Sequence, residues 1–372
     1  VPETPLRLLI VMPNWVGDVC MATPALRLIR DRYKGSFIGG LVRPGIDQLL
    51  AGADFFDELH VDRARGVMGP KLVANKLRPR RYDATLLLTN SFSTALIVRL
   101  AGIPRRIGYD RDARGLLLTD RIAPPKRPDG QWATIPAADY YLQAAWQGLL
   151  SNRGSPDSDS QSAIRNPQSA MAPKLPYMQL ATTPAEENET DDLLARAGIA
   201  PGAPLALLNP GANDPAKRWP TDRFAALADH LAQNHGLTVL LNGSPAESDL
   251  IAQIAAACHV ARPAQLPALG INLGSLKAII RRSRVMVTND TGPRFIATAF
   301  GIPVIALFGP TDHRWSTVPG RAAQTILIAD PTLPEDQSAN DHPDRCRIDR
   351  IELATVTAAC DDVLGKVLSP GS

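Results

Sequence analysis

Short apolar runs alternate with helix-patterned stretches along most of the chain, and no other feature narrows the possible folds as much. In the first half, residues 6–12, 37–42 and 84–89 read as strands, and residues 22–33, 69–77 and 93–100 as helices. In the second half, 205–208, 238–242, 285–288, 304–308 and 325–328 read as strands. Helices are expected there at 221–234, 247–257, 275–282 and 292–300, with Ser275 and Thr291 as N-caps. The strand runs lack strict polar alternation, which marks strands buried on both faces of a parallel sheet. Helices must then cover both faces. The pattern occurs twice, so the expectation is an α/β protein of two Rossmann-like domains.

Residues 151–184 interrupt the alternation. They are rich in Ser, Pro, Asn and Gln, with little apolar periodicity, the composition of a flexible linker or insert. This gives a first domain over 1–150, the linker or insert at 151–184, a second domain over 185–350 and a terminal segment at 351–372. In that last segment Val356, Cys360, Val363, Leu364 and Val367 share one helical stripe. At roughly 150 residues per domain, 372 residues fit this division. Forty basic against 37 acidic residues leave a net charge of +3, so no dominant basic field points to a nucleic-acid polymer as partner. No apolar run reaches the length of about 20 residues needed to span a bilayer. The four cysteines, Cys20, Cys258, Cys346 and Cys360, are widely spaced without a CxxC pair. That argues for a reduced, cytoplasmic protein and against zinc. The six histidines show no ligand spacing, and no metal site is expected.

Three loops carry the chemistry. In parallel α/β sheets, the loops leaving the carboxyl ends of strands face the ligand. After the first strand comes NWVGDVCMATPALR, with Asn14, Trp15, Gly17 and Asp18. Asp18 is either a general base for a bound hydroxyl or a first-turn carboxylate favoured by the helix dipole. No GxGxxG fingerprint is present. After residues 205–208 comes NPGANDPAKRWP. There Asn209, Gly211 and Ala212 offer backbone amides to an anion, and Lys217 and Arg218 offer cationic donors for phosphate or are solvated surface charges. After 285–288 comes TNDTGPRF. Amides at Thr291 and Gly292 would open a helix N-terminus to a diphosphate, beside Asp290 and with Pro293 in the first turn. The alternative is a capped core helix with no ligand. Glu247 follows another strand and is either a ribose ligand or an ordinary first-turn Glu. His313, near FGPTD, is the one histidine of interest. Arg43, Arg63, Arg65, Arg105, Arg106, Arg111, Arg114 and the pair Arg80-Arg81 enrich the first half in arginine, as solvated faces or as holders of an anionic acceptor.

Together NWVGDVCMATPALR, TNSFSTAL (89–96), PAKRWP, TNDTG and FGPTD resemble the ADP-heptose:lipopolysaccharide heptosyltransferases of glycosyltransferase family 9. The resemblance covers nearly the whole chain outside 151–184. It implies the GT-B architecture, two Rossmann-like domains with parallel sheets facing across a cleft, the acceptor on the first and the sugar nucleotide on the second. The final helix would cross back to the first domain. It further implies inverting, metal-independent transfer with no cofactor, ADP-heptose being a substrate, onto a heptose of a lipid A–core acceptor. A monomer is expected, at most peripheral to the inner face of the inner membrane.

Residue by residue, the resemblance places Asp18 at the catalytic base and Lys217 on the donor phosphates. It places Asp290, Thr291 and Gly292 on the donor-binding turn, Glu247 on the ribose, and Asn272 and Leu273 beside adenine, mostly through backbone and apolar contact. Asn90 and Ser91 fall on the acceptor side. The chain departs from the family in carrying Phe295 where a histidine is frequent, with Arg294 and His313 as the polar groups nearby in sequence. The competing readings are a GT-B-like sugar-nucleotide epimerase and a non-catalytic sugar-nucleotide-binding protein.

Overall fold

A computed structural model describes residues 6–126, 135–151, 177–316, 318 and 324–368. The chain divides into two compact units, Val1–Gln179 and Leu180–Ser372. The first holds a six-stranded sheet of β1 (Arg7–Val11), β2 (Phe37–Val42), β3 (Glu58–Val61), β4 (Ala84–Leu87), β5 (Arg105–Tyr109) and β6 (Asp120–Ile122). All pairings are parallel, in the order β3-β2-β1-β4-β5-β6. The second holds β7 (Leu205–Asn209), β8 (Thr238–Leu241), β9 (Ala264–Gln265), β10 (Ser283–Asn289), β11 (Val304–Phe308) and β12 (Gln324–Ile328). Their order is β12-β11-β10-β7-β8-β9, again all parallel. Each unit thus places its first strand beside its fourth. The chain reverses direction across the sheet between them, the switch point at which such folds bind ligands.

The helices of the first unit are α1 (Val16–Arg32), α2 (Ile46–Leu50), α3 (Gly69–Leu77), α4 (Phe92–Leu100) and α5 (Ala137–Ala145). Those of the second are α6 (Pro184–Arg196), α7 (Thr221–His235), α8 (Ser248–Ala257), α9 (Leu273–Arg282), α10 (Pro293–Phe300) and α11 (Leu353–Leu368). The central strands are apolar because both faces are covered: Leu8, Leu9, Leu86, Leu207 and Val287 have no solvent exposure. Strands β3, β5, β6 and β9 escape a hydropathy reading because they are short and edge-ward, and β5 opens on Arg105-Arg106.

Three boundaries differ from expectation. Helix α1 starts six residues earlier, at Val16, and runs through Pro24. Proline lacks the amide that would reach the Cys20 carbonyl, and the Thr23 hydroxyl donates to that oxygen at 2.7 Å instead. Helix α9 is capped by Asn272, whose side chain accepts from the Gly274 and Ser275 amides, while Ser275 bonds back to the Asn272 amide. The cap expected at Thr291 falls to Gly292, because the Thr291 hydroxyl is bonded to Asn209 and Thr288.

Most of the expected linker, residues 152–176, lies outside the described residues. Its last part is described. Gln179 donates its amide to Thr23 Oγ1 and accepts from Arg27 Nε, both at 3.0 Å, and Thr183 opens α6 with a reciprocal capping box to Glu186. The stripe of the terminal helix packs within the second unit. Val356, Cys360 and Leu364 are buried in the second unit's own core, with Trp219, Phe224 and Leu307. No described helix is long and apolar enough to cross a membrane.

Candidate functional site

At the switch point of the first sheet, the loops after β1 and β4 bring Asp18 and Asn90 to one edge, and α5 ties both down. Tyr141 donates its hydroxyl to Asp18 Oδ1 at 2.8 Å. Tyr140 donates to Asn90 Oδ1 at 3.0 Å and stacks on Tyr109 with ring centroids 4.1 Å apart. Asp18 sits in the first turn of α1, where a helix dipole would favour its charge. Burial outweighs this. It raises the Asp18 pKa above the ordinary carboxyl range, and the bonds from Tyr141 and from its own amide only partly offset the rise. Burial, with the Asp18 charge and hydrogen bond adding to it, also raises Tyr141 well above the usual phenol value. A surface helix carboxylate would behave in the opposite way.

The other residues expected on the acceptor side fall into two groups. Asn14 and Trp15 are exposed, Trp15 to 68%, so both remain open to a ligand. Arg111 is half-buried and bonds the Tyr140 hydroxyl. Ser91 is occupied as the N-cap of α4. Arg114 corrects the sequence reading. It has no solvent exposure, and its guanidinium is consumed by the Tyr109 and Thr89 carbonyls and by Asn90 Oδ1. Burial lowers its pKa to about 10. It buttresses the loops after β4 and β5 from beneath. In the loop after β5, Asp112 and Ala113 are two non-glycine residues at φ +53° and +58°, a sparsely populated conformation that recurs at functional sites. Tyr140 and Tyr141 were missed in the sequence. They follow no strand, and only packing of α5 against α1 delivers them.

In the second unit, β7 and β10 meet at the switch point through a ladder of short polar side chains. Asn209 donates to Thr291 Oγ1 at 3.0 Å and accepts from Asn242 Nδ2 at 2.5 Å. Thr291 Oγ1 lies 3.1 Å from Thr288 Oγ1. Asn289 donates to the Pro210 carbonyl at 2.7 Å and accepts from the Trp219 amide at 3.3 Å. The loop 209–219 is thereby fixed to the start of α10. Asp290 stands beside it, 3.9 Å from Lys217 Nζ and 3.5 Å from Arg294. Lys217 remains partly exposed.

Gly211 has no side chain for a reason: a Cβ there would overlap the Glu247 carboxylate. Glu247 is itself oriented by the Ser244 amide and hydroxyl, both at 2.8 Å. Several side chains here serve the fold itself. Arg218 is spent on the Ala212 carbonyl, which it grips through Nε and Nη2 at 2.9 and 2.7 Å, so it closes the loop. The Asn272 side chain caps α9 and donates to Glu189 at 2.6 Å, leaving backbone and Leu273 for any ligand contact. Arg294 is fully buried, stacked over Phe295 and Phe308 at 4.4 and 5.0 Å, with its pKa lowered to about 10 by burial. It bonds the Ser316 carbonyl at 3.0 Å and is an internal anchor, and Phe295 is itself buried at 5% exposure. His313 packs edge-on to Phe308, and burial lowers its pKa.

Two of the histidines come together across the fold. His230 and His235 of α7 both bond Asp361 Oδ1 of α11, at 2.7 and 2.6 Å. These three residues could hold a metal ion, although hydrogen bonding alone accounts for their geometry. A spacing search misses them because Asp361 lies over 120 positions away.

Comparison with known proteins adds the following. Residues 72–342 match the sequence model of glycosyltransferase family 9 (heptosyltransferase). The chain is 28% identical over 331 residues to lipopolysaccharide heptosyltransferase 2 of Escherichia coli K12, spanning 87% of this chain and 88% of that protein. It is 26% identical over 328 residues to lipopolysaccharide heptosyltransferase 1 of Pseudomonas aeruginosa, spanning 85% and 82%. The structure of E. coli ADP-heptose LPS heptosyltransferase II matches with a TM-score of 0.78 at 24% identity, covering 98% of this chain and 100% of that one. E. coli heptosyltransferase WaaC with ADP matches with a TM-score of 0.69 at 17% identity, covering 96% and 100%. At these identities the structural matches carry the GT-B fold alone.

Proposed function

The chain belongs to glycosyltransferase family 9, the heptosyltransferase family, and from that premise we propose that it moves heptose from ADP-heptose to a heptose of the lipopolysaccharide inner core, with inversion and without a metal. The observation that carries this reading is the half-buried Asp18 carboxylate, held by Tyr141 at the switch point of the first sheet. A carboxylate whose proton affinity is raised by burial is suited to accept a proton from a sugar hydroxyl.

Asp18 removes that proton as the acceptor oxygen attacks the anomeric carbon. ADP departs from the opposite face, and the configuration inverts. Asn14, Trp15 and Asn90 contact the acceptor on the first unit. On the second, the Thr291 and Gly292 amides at the N-terminus of α10 take the diphosphate, and Lys217 meets the charge that grows on it as the bond breaks. Loss of a preorganised donor of this kind costs around 10²–10³ in rate. Asp290 orients Lys217. Glu247, pressed against Gly211, accepts from the ribose, and Leu273 with the neighbouring backbone packs on adenine. The protein works as a cytoplasmic monomer that meets its lipid-linked acceptor at the inner face of the inner membrane.

The test is Asp18→Asn, assayed with ADP-heptose and heptose-terminated core acceptor, products read by mass spectrometry. Transfer falls by about 10²–10⁴, while ADP binding measured by calorimetry is unchanged. Retained transfer removes Asp18 from the base role. Turnover of the donor with no acceptor present favours the epimerase reading instead.

A further inference from the structure

The first unit leaves an unusual set of large apolar side chains in solvent. Trp15, Val67, Met68, Leu72, Phe92 and Leu116 are all exposed. All lie in segments that follow the carboxyl ends of β1, β3, β4 or β5, so they decorate the same edge of the sheet as Asp18. Three of them come from a single stretch. Gly66 at φ +72° opens a tight turn closed by the Gly69 amide on the Gly66 carbonyl at 3.0 Å, and Val67 and Met68 form its apex. Turn apices favour Gly, Asn, Asp and Pro. Here Val67 is 97% exposed. Helix α3 follows and spends Val73, Ala74 and Leu77 on the core, so Leu72 stands on its outer side, 53% exposed.

The stretch that carries this apex is basic. Residues 63–76 contain four basic side chains, Arg63, Arg65, Lys71 and Lys76, and no acidic one. Asp62, just before this stretch, is engaged by Arg43. Among the described residues, Arg63, Arg65, Lys71 and Lys76 form no ion pair. Exposed apolar side chains at a tip, ringed by unpaired cations, match the chemistry of an anionic bilayer surface. The tip enters the acyl boundary and the cations meet the headgroups. Position adds to this. Strand β3 is two strands from β1, about 10 Å along the sheet at the usual strand spacing. A lipid-linked acceptor held at the bilayer would need only a short reach to Asp18.

We propose that residues 63–76 dock the protein on an anionic phospholipid bilayer, with Val67, Met68 and Leu72 inserted and Arg63, Arg65, Lys71 and Lys76 on the headgroups. This rests on the lipid-linked acceptor proposed above.

The test is co-sedimentation of the full chain with vesicles of phosphatidylethanolamine and phosphatidylglycerol, against vesicles of phosphatidylcholine alone. The protein partitions to the first and not the second. Lys71→Gln with Lys76→Gln lowers the partition about 25-fold, at roughly fivefold per cation, and high salt erases the difference from wild type. Val67→Ser with Met68→Ser and Leu72→Ser lowers it by about tenfold or more. Transfer to a water-soluble, delipidated acceptor is unchanged in both variants, which also reports their folding, whereas transfer to acceptor embedded in vesicles falls. Wild-type partition in both variants, or equal partition to both vesicle types, overturns the proposal. Should a variant fail to fold, the salt dependence and lipid preference of the wild type decide alone. If the wild type transfers to neither acceptor, the proposed activity fails, and the vesicle measurement still settles the docking surface.

Discussion

Tyr141 donates a 2.8 Å hydrogen bond to the Asp18 carboxylate from a ring that is 7% exposed. Tyr141→Phe therefore removes one hydroxyl and leaves the packing in place. A hydrogen bond to a charged group is worth about 1.5–3 kcal/mol, and each pH unit corresponds to 1.36 kcal/mol. The donor favours the ionised carboxylate, so without it Asp18 holds its proton to higher pH, on top of the rise that burial already imposes. A base must be ionised to act. The acidic limb of the kcat/KM profile in Tyr141→Phe thus moves upward by about one to two pH units. Below the limb the variant loses about tenfold in rate per unit moved, and well above it the rate returns to near wild type, with KM for donor unchanged. The assay is ADP release over a pH series, with Asp18→Asn as the control that is low at every pH. An unmoved limb, or a loss equal at all pH values, would refute the role given to Tyr141 and weaken that of Asp18.

Three further outcomes follow from other contacts. Gly211→Ala places a methyl against the Glu247 carboxylate and pushes that flexible side chain aside; ADP binds more weakly by calorimetry while the melting temperature barely changes. Lys277→Met leaves Glu186 buried without the ammonium 3.1 Å from it and costs about 3–5 kcal/mol by urea unfolding, and adding Glu186→Gln recovers part of the loss. Asp18→Asn melts level with or above wild type near neutral pH. The Asp18 pKa is raised in the folded state, so its contribution to stability is present below the ordinary carboxyl range and lost as pH rises through its folded value; a lower melting temperature contradicts this.

Much of the fold was legible as pattern. The strands at Phe37–Val42 and Val304–Phe308 and the helix at Gly69–Leu77 agree with the sequence bounds, and the striped terminal segment does form a helix, because full burial writes itself into an unbroken apolar run or a 3.6-residue stripe. Position after a strand was enough to single out Asp18, Lys217 and Thr291, since in a parallel sheet that loop can only lie at the ligand edge; Asn90 came from the family resemblance. Polar side chains were less legible. Arg114 and Arg218 read as ligand contacts, yet each spends its donors on the fold itself. Charge in a sequence gives no sign of whether a carbonyl or a ligand will receive it.

Residue order alone was sufficient for two parallel sheets and for the strand each chemical loop leaves, because burial periodicity is local and survives without coordinates. It was not sufficient for Tyr140 and Tyr141 on Asn90 and Asp18, for His230 and His235 on Asp361, or for the inward destiny of the final helix. Those depend on hydrogen bonds and packing between residues 50 to more than 100 positions apart, and only the folded chain brings such partners within 3 Å.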